Sequence, residues 1–539
     1  MSEQVGPGGI TLAAKDAVAS QGESDRKSKL SGSELAKQAG YMASARVVAQ
    51  VAQFSTFLLA SRLLGPADFG VYALVFVIAF LVNEAAQSGW RELAMADEAE
   101  ADVAQTMSWI ASIAMGGILA IVGTLAYAYF PGIGTQIGLG TVDFDVFALL
   151  MLFSVHISLC GAVSVQYGRL VTFGKVGTLS KIQTVCEIVA FVVVATALIN
   201  DFGIVSLGFG QLASSMTALT LSYLALSPRR FRMPRVGETR RIIRFVTSIL
   251  LSRAAFFIND SLVLIIVGAY LGPASVGFFR AGGRFAGAIA DAISEAMRVT
   301  SWSSLQRAFG EAKEHGTLET EKGRPIPPPE AADSLLRLIG GGAYVVIPAF
   351  VGLALVAPSF IVLVLGPTWQ PAAIILSIFA LRRLVMLPGV LLAPLLAMTD
   401  RLPVGPVIAV LTSVVTVGML MIFAPLGMEW AAVGQLFAGL ISLALTLAVL
   451  AWIGRMSLAK LAAVLAAPCF ASLVMALALI FAFGLDPMAD GDTAEAPFRL
   501  IGAVVLGVAV YGTVVIAVSQ QARTLAQMAM RTARQRAFG

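Results

Sequence analysis

Runs of about twenty apolar residues recur along almost the whole chain, separated by short polar breaks. An α-helix rises about 1.5 Å per residue, so each run is long enough to cross a hydrocarbon core roughly 30 Å thick. The pattern predicts spans near 41–62, 70–90, 107–130, 143–165, 178–199, 203–226, 245–271 and 277–301. Six more are predicted near 338–357, 372–398, 403–425, 428–453, 460–484 and 497–519. The runs are continuous, whereas strands of a membrane barrel alternate over about ten residues. The expected fold is therefore an all-α polytopic membrane protein of about fourteen transmembrane helices.

A repeat organises these spans. Arg46 to Arg91 aligns without gaps on Arg253 to Arg298, with nine identities in forty-six positions. The tetrad Leu64-Gly65-Pro66-Ala67 falls on Leu271-Gly272-Pro273-Ala274, Gly70 on Gly277, and Glu84 on Asp291. Six crossings separate the first and seventh spans, so both start on one side of the bilayer. That predicts two pseudo-repeated six-helix halves related by an axis along the membrane normal, plus two C-terminal helices. The expected layout is a tail over 1–40, a first half over 41–226, a basic linker over 227–244 and a second half over 245–453. The second half includes a polar cytoplasmic loop at 303–336, two extra helices follow over 460–519, and a basic tail fills 520–539.

Composition agrees: 58% of residues are hydrophobic, 13% are charged, and mean hydropathy is +0.85. The net charge of +5 resides in alternate loops. Arg26, Lys27, Lys29 and Lys37 precede the first span, Arg229 to Arg244 crowd the link after the sixth, and Arg523 to Arg536 lie in the tail. Loops 132–142, 200–203, 358–371 and 485–496 are nearly free of Lys and Arg, so both termini are expected in the cytoplasm. Loop 91–105 is mostly acidic, which the rule tolerates because acids weigh little. This basic excess reports topology and attraction to anionic lipid, not nucleic acid. Cys160, Cys186 and Cys469 all fall inside spans, so no disulfide framework is indicated.

The chemistry sits where charge is most costly. In the eighth span, Arg280, Arg284, Asp291, Glu295 and Arg298 share an arc of about 60° at 100° per residue. One charge at a helix centre costs roughly 2.5–3.5 kcal/mol, and five facing lipid would cost on the order of 10 kcal/mol. Such a stripe must face protein or water. Arg46, Gln50 and Gln53 share a face of the first span, Glu84 and Arg91 one of the second, and Arg253 and Asp260 one of the seventh. The tenth carries Arg382-Arg383 ahead of Pro388 and Pro394, which can break or kink it; of the pair, Arg383 is expected to point inward. Glu187 stands alone in the fifth span, with Gln183 one turn away. The alternative is internal salt bridging, but Glu84 with Arg91 and Arg284 with Asp291 lie about 10 Å apart along their helices, so their partners must come from elsewhere. His156 reads as a packed polar residue.

No enzyme motif emerges. Two distant histidines and three scattered cysteines form no zinc constellation. Gly168 to Lys175 superficially resembles a phosphate loop, but five residues separate its glycines and Val176 stands where Ser or Thr is required.

The segment Ser61-Arg62-Leu63-Leu64-Gly65-Pro66-Ala67-Asp68-Phe69-Gly70-Val71-Tyr72-Ala73-Leu74 resembles the start of polysaccharide transporters. These are Wzx-type lipid-linked oligosaccharide flippases of the multidrug/oligosaccharidyl-lipid/polysaccharide (MOP) exporter superfamily. Asn259-Asp260 with Leu271-Gly272-Pro273 and Gly277, and Leu365-Gly366-Pro367-Thr368-Trp369, are similar to later elements of that family. Phe278-Phe279 stand where the family usually has a Tyr. The resemblance implies a bacterial inner-membrane flippase moving an isoprenoid-diphosphate-linked oligosaccharide from the cytoplasmic to the periplasmic leaflet. It implies that Arg46, Arg253, Arg280, Arg284, Arg298, Arg382 and Arg383 line the substrate path. It also implies that Glu84, Glu187, Asp260, Asp291 and Glu295 balance charge or bind a coupling H+ or Na+. No other cofactor is expected, and polymerase and glycosyltransferases are possible partners. A multidrug exporter of the same superfamily is the alternative, although organic cations would favour acids over this arginine excess. A polymerase or ligase would usually carry a large periplasmic loop, where the loops here reach only about a dozen residues. A non-transporting scaffold would have no need of charges within spans.

Overall fold

The computed structural model describes residues 32–96, 101–226, 231–484, 496–520 and 523, less positions 131, 133, 135–138, 140, 141 and 322; side chains at 32–46, 96, 236, 251–260 and 496 are not among those described. The chain runs through α1 (Gly32–Leu63), α2 (Pro66–Gln87), α3 (Trp90–Ala96), α4 (Ala101–Tyr129), α5 (Phe144–Thr172), α6 (Val176–Ile199) and α7 (Val205–Ala225). Then come α8 (Val236–Leu271) and α9 (Pro273–Glu314), and a two-residue hairpin of β1 (Thr320–Glu321) and β2 (Arg324–Pro325). The remainder is α10 (Pro329–Leu365), α11 (Ala372–Met386), α12 (Leu392–Met398), α13 (Val404–Phe423), α14 (Met428–Trp452), α15 (Leu458–Phe483) and α16 (Ala496–Val518).

Every predicted span falls on a helix, and among the described residues ten helices are long and apolar enough to cross a membrane. The apolar stretches of α1 and α8 are shorter, at Val47–Leu63 and Ser261–Leu271. The chain is thus a multi-pass membrane protein. The tenth predicted span is broken as Pro388 foretold: α11 stops at Met386, a 3-10 turn covers Leu387–Leu391, and α12 follows.

Three expected boundaries differ. Residues 32–40, expected in the polar tail, are already helical, and α8 begins at Val236, inside the expected basic linker. The segment 303–336 is not a loop throughout. It comprises the end of α9, the hairpin and the start of α10. With 42 residues, α9 is about 63 Å long, more than the bilayer thickness. Its last turns are amphipathic, burying Leu305 and Phe309 against Leu335, Ile339, Leu395, Ile453 and Leu461, so hydrophobic contact prolongs a helix whose polar residues alone suggested a loop.

Helices α4 to α7 pack on one another and hold α1 and α2 at their edge, while α9, α10, α11, α13 and α14 form a second bundle; α15 and α16 pair on α10. Small residues set the tightest crossing in the first bundle. A methyl placed on Gly161 would meet Ser112 Oγ and the Ser108 carbonyl, and one on Gly116 would meet Ser158 Oγ and the Ser154 carbonyl. Such small-residue seams let membrane helices approach closely and gain dispersion contact.

Candidate functional site

The two bundles meet chiefly where α2 packs on α9. Both helices begin with proline directly after glycine, where the missing N–H costs nothing and φ is already helical. One turn on, Gly70 lies against the Pro273 carbonyl and Gly277 against the Pro66 carbonyl, so an added methyl would overlap backbone at either point. Each copy's proline therefore packs against the other copy's glycine, backbone on backbone. A third Leu-Gly-Pro, at Leu365-Gly366-Pro367, ends α10, with Gly366 at φ 105°, a conformation that favours glycine.

This end of the interface is closed by polar and aromatic contacts. Arg62 donates through Nε to the Val364 carbonyl at 2.7 Å and through Nη2 to the Leu363 carbonyl at 2.8 Å, satisfying the open C-terminus of α10. Trp369 Nε1 donates to the Ser61 carbonyl at 2.8 Å. Around them, Phe57 meets Phe69 and Phe285, Phe69 and Phe278 each meet Trp369 edge-on, and Phe54 and Phe360 each meet Phe285 edge-on. Edge-to-face pairs add about 0.5–1.5 kcal/mol each beyond area burial. The plug draws rings from α1, α2, α9, α10 and the turn after it.

Deeper along the same interface lie the charges. Gln53 of α1 donates through Nε2 to Glu187 Oε1 of α6 at 2.8 Å, and its Oε1 accepts from Arg284 Nη2 of α9 at a long 3.4 Å. Glu187, Gln53 and Arg284 thus form one chain across three helices and both bundles. Arg280, one turn before Arg284, sets its guanidinium 4.9 Å above the Phe76 ring, a cation–π contact that holds the group without neutralising it. Among the described residues, the ionisable groups that reach it are Tyr72 and Arg284. The Gln211 side chain reaches the Tyr72 hydroxyl, and the Gln211 carbonyl lies 3.1 Å from His156 Nδ1. His156 is thereby a packed polar residue, as expected.

The rest of the stripe changes character. Arg280 and Arg284 are half-buried, whereas Asp291, Glu295 and Arg298 are exposed. Arg298 pairs with Glu295 on its own helix, Nη2 to Oε1 at 2.7 Å and Nε to Oε2 at 3.0 Å. This pair lies within one helix. Arg284 looks to Glu187 through Gln53, not to Asp291. The arginines of the tenth predicted span diverge: Arg382 lays its stem beside Gly439 of α14, while Arg383 points its guanidinium at Gly287 of α9. Glu84 is half-buried on α2. Arg46, Arg253 and Asp260 lie outside the residues whose side chains are described. Among the described residues no group of His, Cys, Asp or Glu is arranged to hold a metal ion, and Cys160, Cys186 and Cys469 are free.

Two contributors escaped sequence analysis. The aromatic plug had no periodic signature that separates it from lipid-facing phenylalanines, and the role of Arg62 was masked by its position at a span end. The pairing of Gln53 with Glu187 had a signal: both are polar residues isolated in apolar runs.

This architecture, two helical bundles joined where glycines pack on proline carbonyls with polar and charged groups between them, recurs in solved structures. A solved structure titled "Lipid II flippase MurJ, inward closed conformation" is similar over 87% of this chain and 98% of its own, with a TM-score of 0.64 at 13% identity. A second, the inward-facing conformation of a multidrug resistance MATE family transporter of the MOP superfamily, is similar over 77% of this chain and 95% of its own, with a TM-score of 0.58 at 15% identity. Residues 58–316 match the model of a family described as "Polysaccharide biosynthesis protein". No curated protein matches the chain. The resemblance to polysaccharide transporters drawn from the Leu-Gly-Pro motifs is thus shown; both copies of the tetrad lie within the matched segment.

Proposed function

We propose that the chain is a flippase that carries an isoprenoid-diphosphate-linked oligosaccharide from the cytoplasmic to the periplasmic leaflet of a bacterial inner membrane, for surface polysaccharide biosynthesis. The observation that carries this reading is the pair Arg280 and Arg284: two guanidinium groups one turn apart, at the interface of the bundles, with Arg280 held by an aromatic face and, among the described residues, by no acid. A like-charge pair in low dielectric is unfavourable unless an anion joins it. A diphosphate fits, because each planar guanidinium offers two parallel N–H donors to its oxygens. The sugars and diphosphate would travel between the bundles while the isoprenoid stays in lipid.

Alternating access follows from the two ends of the interface. The plug closes one end, and the stripe emerges from it toward Asp291, Glu295 and Arg298. With both termini in the cytoplasm, the plug faces the periplasm and substrate enters from the cytoplasmic leaflet. The reciprocal contact of Gly70 with Pro273 and of Gly277 with Pro66 is what two parallel repeats would make about a common axis. Glu187, tied to Arg284 through Gln53, is the best-placed acid to sense both substrate and a coupling H+ or Na+. Diphosphate on Arg284 would compete with Gln53, loosening the chain to Glu187. A multidrug exporter is the alternative, but a pair of arginines repels organic cations.

Export of surface polysaccharide by cells carrying Arg284→Ala tests this. Loss of export at normal membrane levels of protein is expected, with partial rescue by Arg284→Lys, because an ammonium lacks the planar fork. Full export by Arg280→Ala and Arg284→Ala would refute the site. Cytoplasmic reporters fused at Arg241 or Arg455 and periplasmic ones at Gly134 or Asp490 should all be active; opposite activity at any two would refute the orientation.

A further inference from the structure

Away from the charged stripe, the link between the bundles carries a site of its own. The segment Phe231 to Thr247 enters α8 along the flank of α3 and α4, pinned where the Arg232 backbone N–H donates to Thr106 Oγ1 at 3.0 Å. Beneath it lies an apolar crevice of about 230 Å³, lined by Trp90, Met107, Ile110, Ala111, Ile243 and Val246, with Thr247 the one polar side chain. That volume falls below the roughly 300–1,000 Å³ of small-molecule sites and contains nothing to orient a polar ligand. It suits part of a hydrocarbon chain.

Charge adjoins it directly. On α8, Arg240 lies about 60° from Ile243 and about 20° from Thr247, and Arg244 lies about 60° from Thr247 and one turn before it. Both are exposed, and neither makes an ion pair among the described residues. Phe231 and Met233 are 75% and 71% exposed, and Ile243 is 50% exposed. Large apolar side chains interleaved with arginines are satisfied together only at a bilayer interface, where rings and aliphatics sink toward the acyl chains and guanidiniums meet headgroups.

We propose that this junction binds one anionic phospholipid, its phosphate held by Arg240 and Arg244 and the upper part of one acyl chain seated in the crevice against Ile110, Ala111 and Ile243. The lipid bridges α4 of the first bundle and α8, the helix that leads into the second. The site is independent of what the protein transports.

Native mass spectrometry of the full chain, stripped of lipid in neutral detergent and titrated with dioleoyl-phosphatidylglycerol or dioleoyl-phosphatidylcholine, tests it. The first phosphatidylglycerol should bind about tenfold more tightly than phosphatidylcholine, the order expected for two arginines at an anionic headgroup. The double variant Arg240→Gln/Arg244→Gln, altered only at exposed positions, should lose that preference while keeping its affinity for phosphatidylcholine. Ala111→Trp should fill the crevice and weaken both lipids, with Thr247→Phe as a second filling variant. Equal affinity for the two lipids in the parent protein, a preference that survives the double substitution, or unchanged binding in both filling variants would overturn the proposal.

Discussion

The interface between α2 and α9 joins the bundles in two different ways. At its plugged end, Gly70 and Gly277 bring backbone onto backbone, and Arg62 and Trp369 donate only to carbonyls. Four turns along α9 at most, side chains replace backbone: Gln53, Glu187, Arg280 and Arg284 meet through long or polarised contacts, and beyond them the stripe is exposed. The first end is short-range and steric, so it is either closed or broken. The second is electrostatic and longer-ranged, so an ion or anion can retune it without dismantling the fold. A transporter needs both, a seal with two discrete states and a site that biases it.

The largest effect should come from disturbing the seal. Gly70→Ala and Gly277→Ala each force a methyl into a proline carbonyl and should destabilise this closed form by about 1–3 kcal/mol, as overpacking does. Gly65→Ala, five residues before Gly70 but with open space around it, should be silent. Thermal unfolding in detergent checks all three, and equal shifts at Gly65 and Gly70 would break the comparison. At the charged end, Arg284→Ala should weaken diphosphate binding by about tenfold or more, the weight of a charge-assisted hydrogen bond, with little change in melting temperature. Titration with an isoprenoid diphosphate measures it, and a large loss of stability would instead make Arg284 part of the seal.

Gln53 sharpens the contrast, because it ties Glu187 of one bundle to Arg284 of the other. A double-mutant cycle on Glu187→Gln and Arg284→Lys should show a coupling of about 0.5–3 kcal/mol that vanishes in a Gln53→Ala background. Trp369→Phe keeps the ring and deletes the donor to Ser61, so it should cost about 1 kcal/mol, read again by thermal unfolding. The smallest effect lies outside the membrane. Glu238 accepts from the Arg235 backbone N–H and pairs with Arg232, and these contacts hold its carboxyl below the usual glutamate range. Its cap on α8 is therefore fully present above the ordinary glutamate pKa and fades as pH falls through the lowered value. Hydrogen exchange at residues 236–240 should quicken under acid in the parent protein, beyond the intrinsic pH dependence, but not in Glu238→Gln.

Much of this molecule was already written in its residue pattern. Twenty-residue apolar runs leave a helix no alternative in lipid, because only intrahelical bonding satisfies every backbone group, and so all the predicted spans are helices. Pro388 broke its span because proline inside a helix removes a backbone bond and clashes with the preceding turn. The charged stripe of α9 was legible because burying five charges against lipid is prohibitive whatever surrounds them. Other features were not local. Whether Arg298 answers to Glu295 or to another helix depends on which neighbours come within a few ångströms, and periodicity along one helix is blind to that. Arg382 and Arg383 are adjacent in sequence, yet one rests beside Gly439 and the other beside Gly287, a division made by the flanking helices. The continuation of α9 through Glu314 was likewise decided by Leu395, Ile453 and Leu461, residues far away in the chain. Sequence alone determined what must be helical, what must avoid lipid, and that Gly70 and Gly277 are equivalent, because those follow from solvent and backbone chemistry. Only tertiary structure decided that these two glycines face each other's prolines, and that Gln53 links Glu187 to Arg284, because contact energies act over a few ångströms and are set by packing.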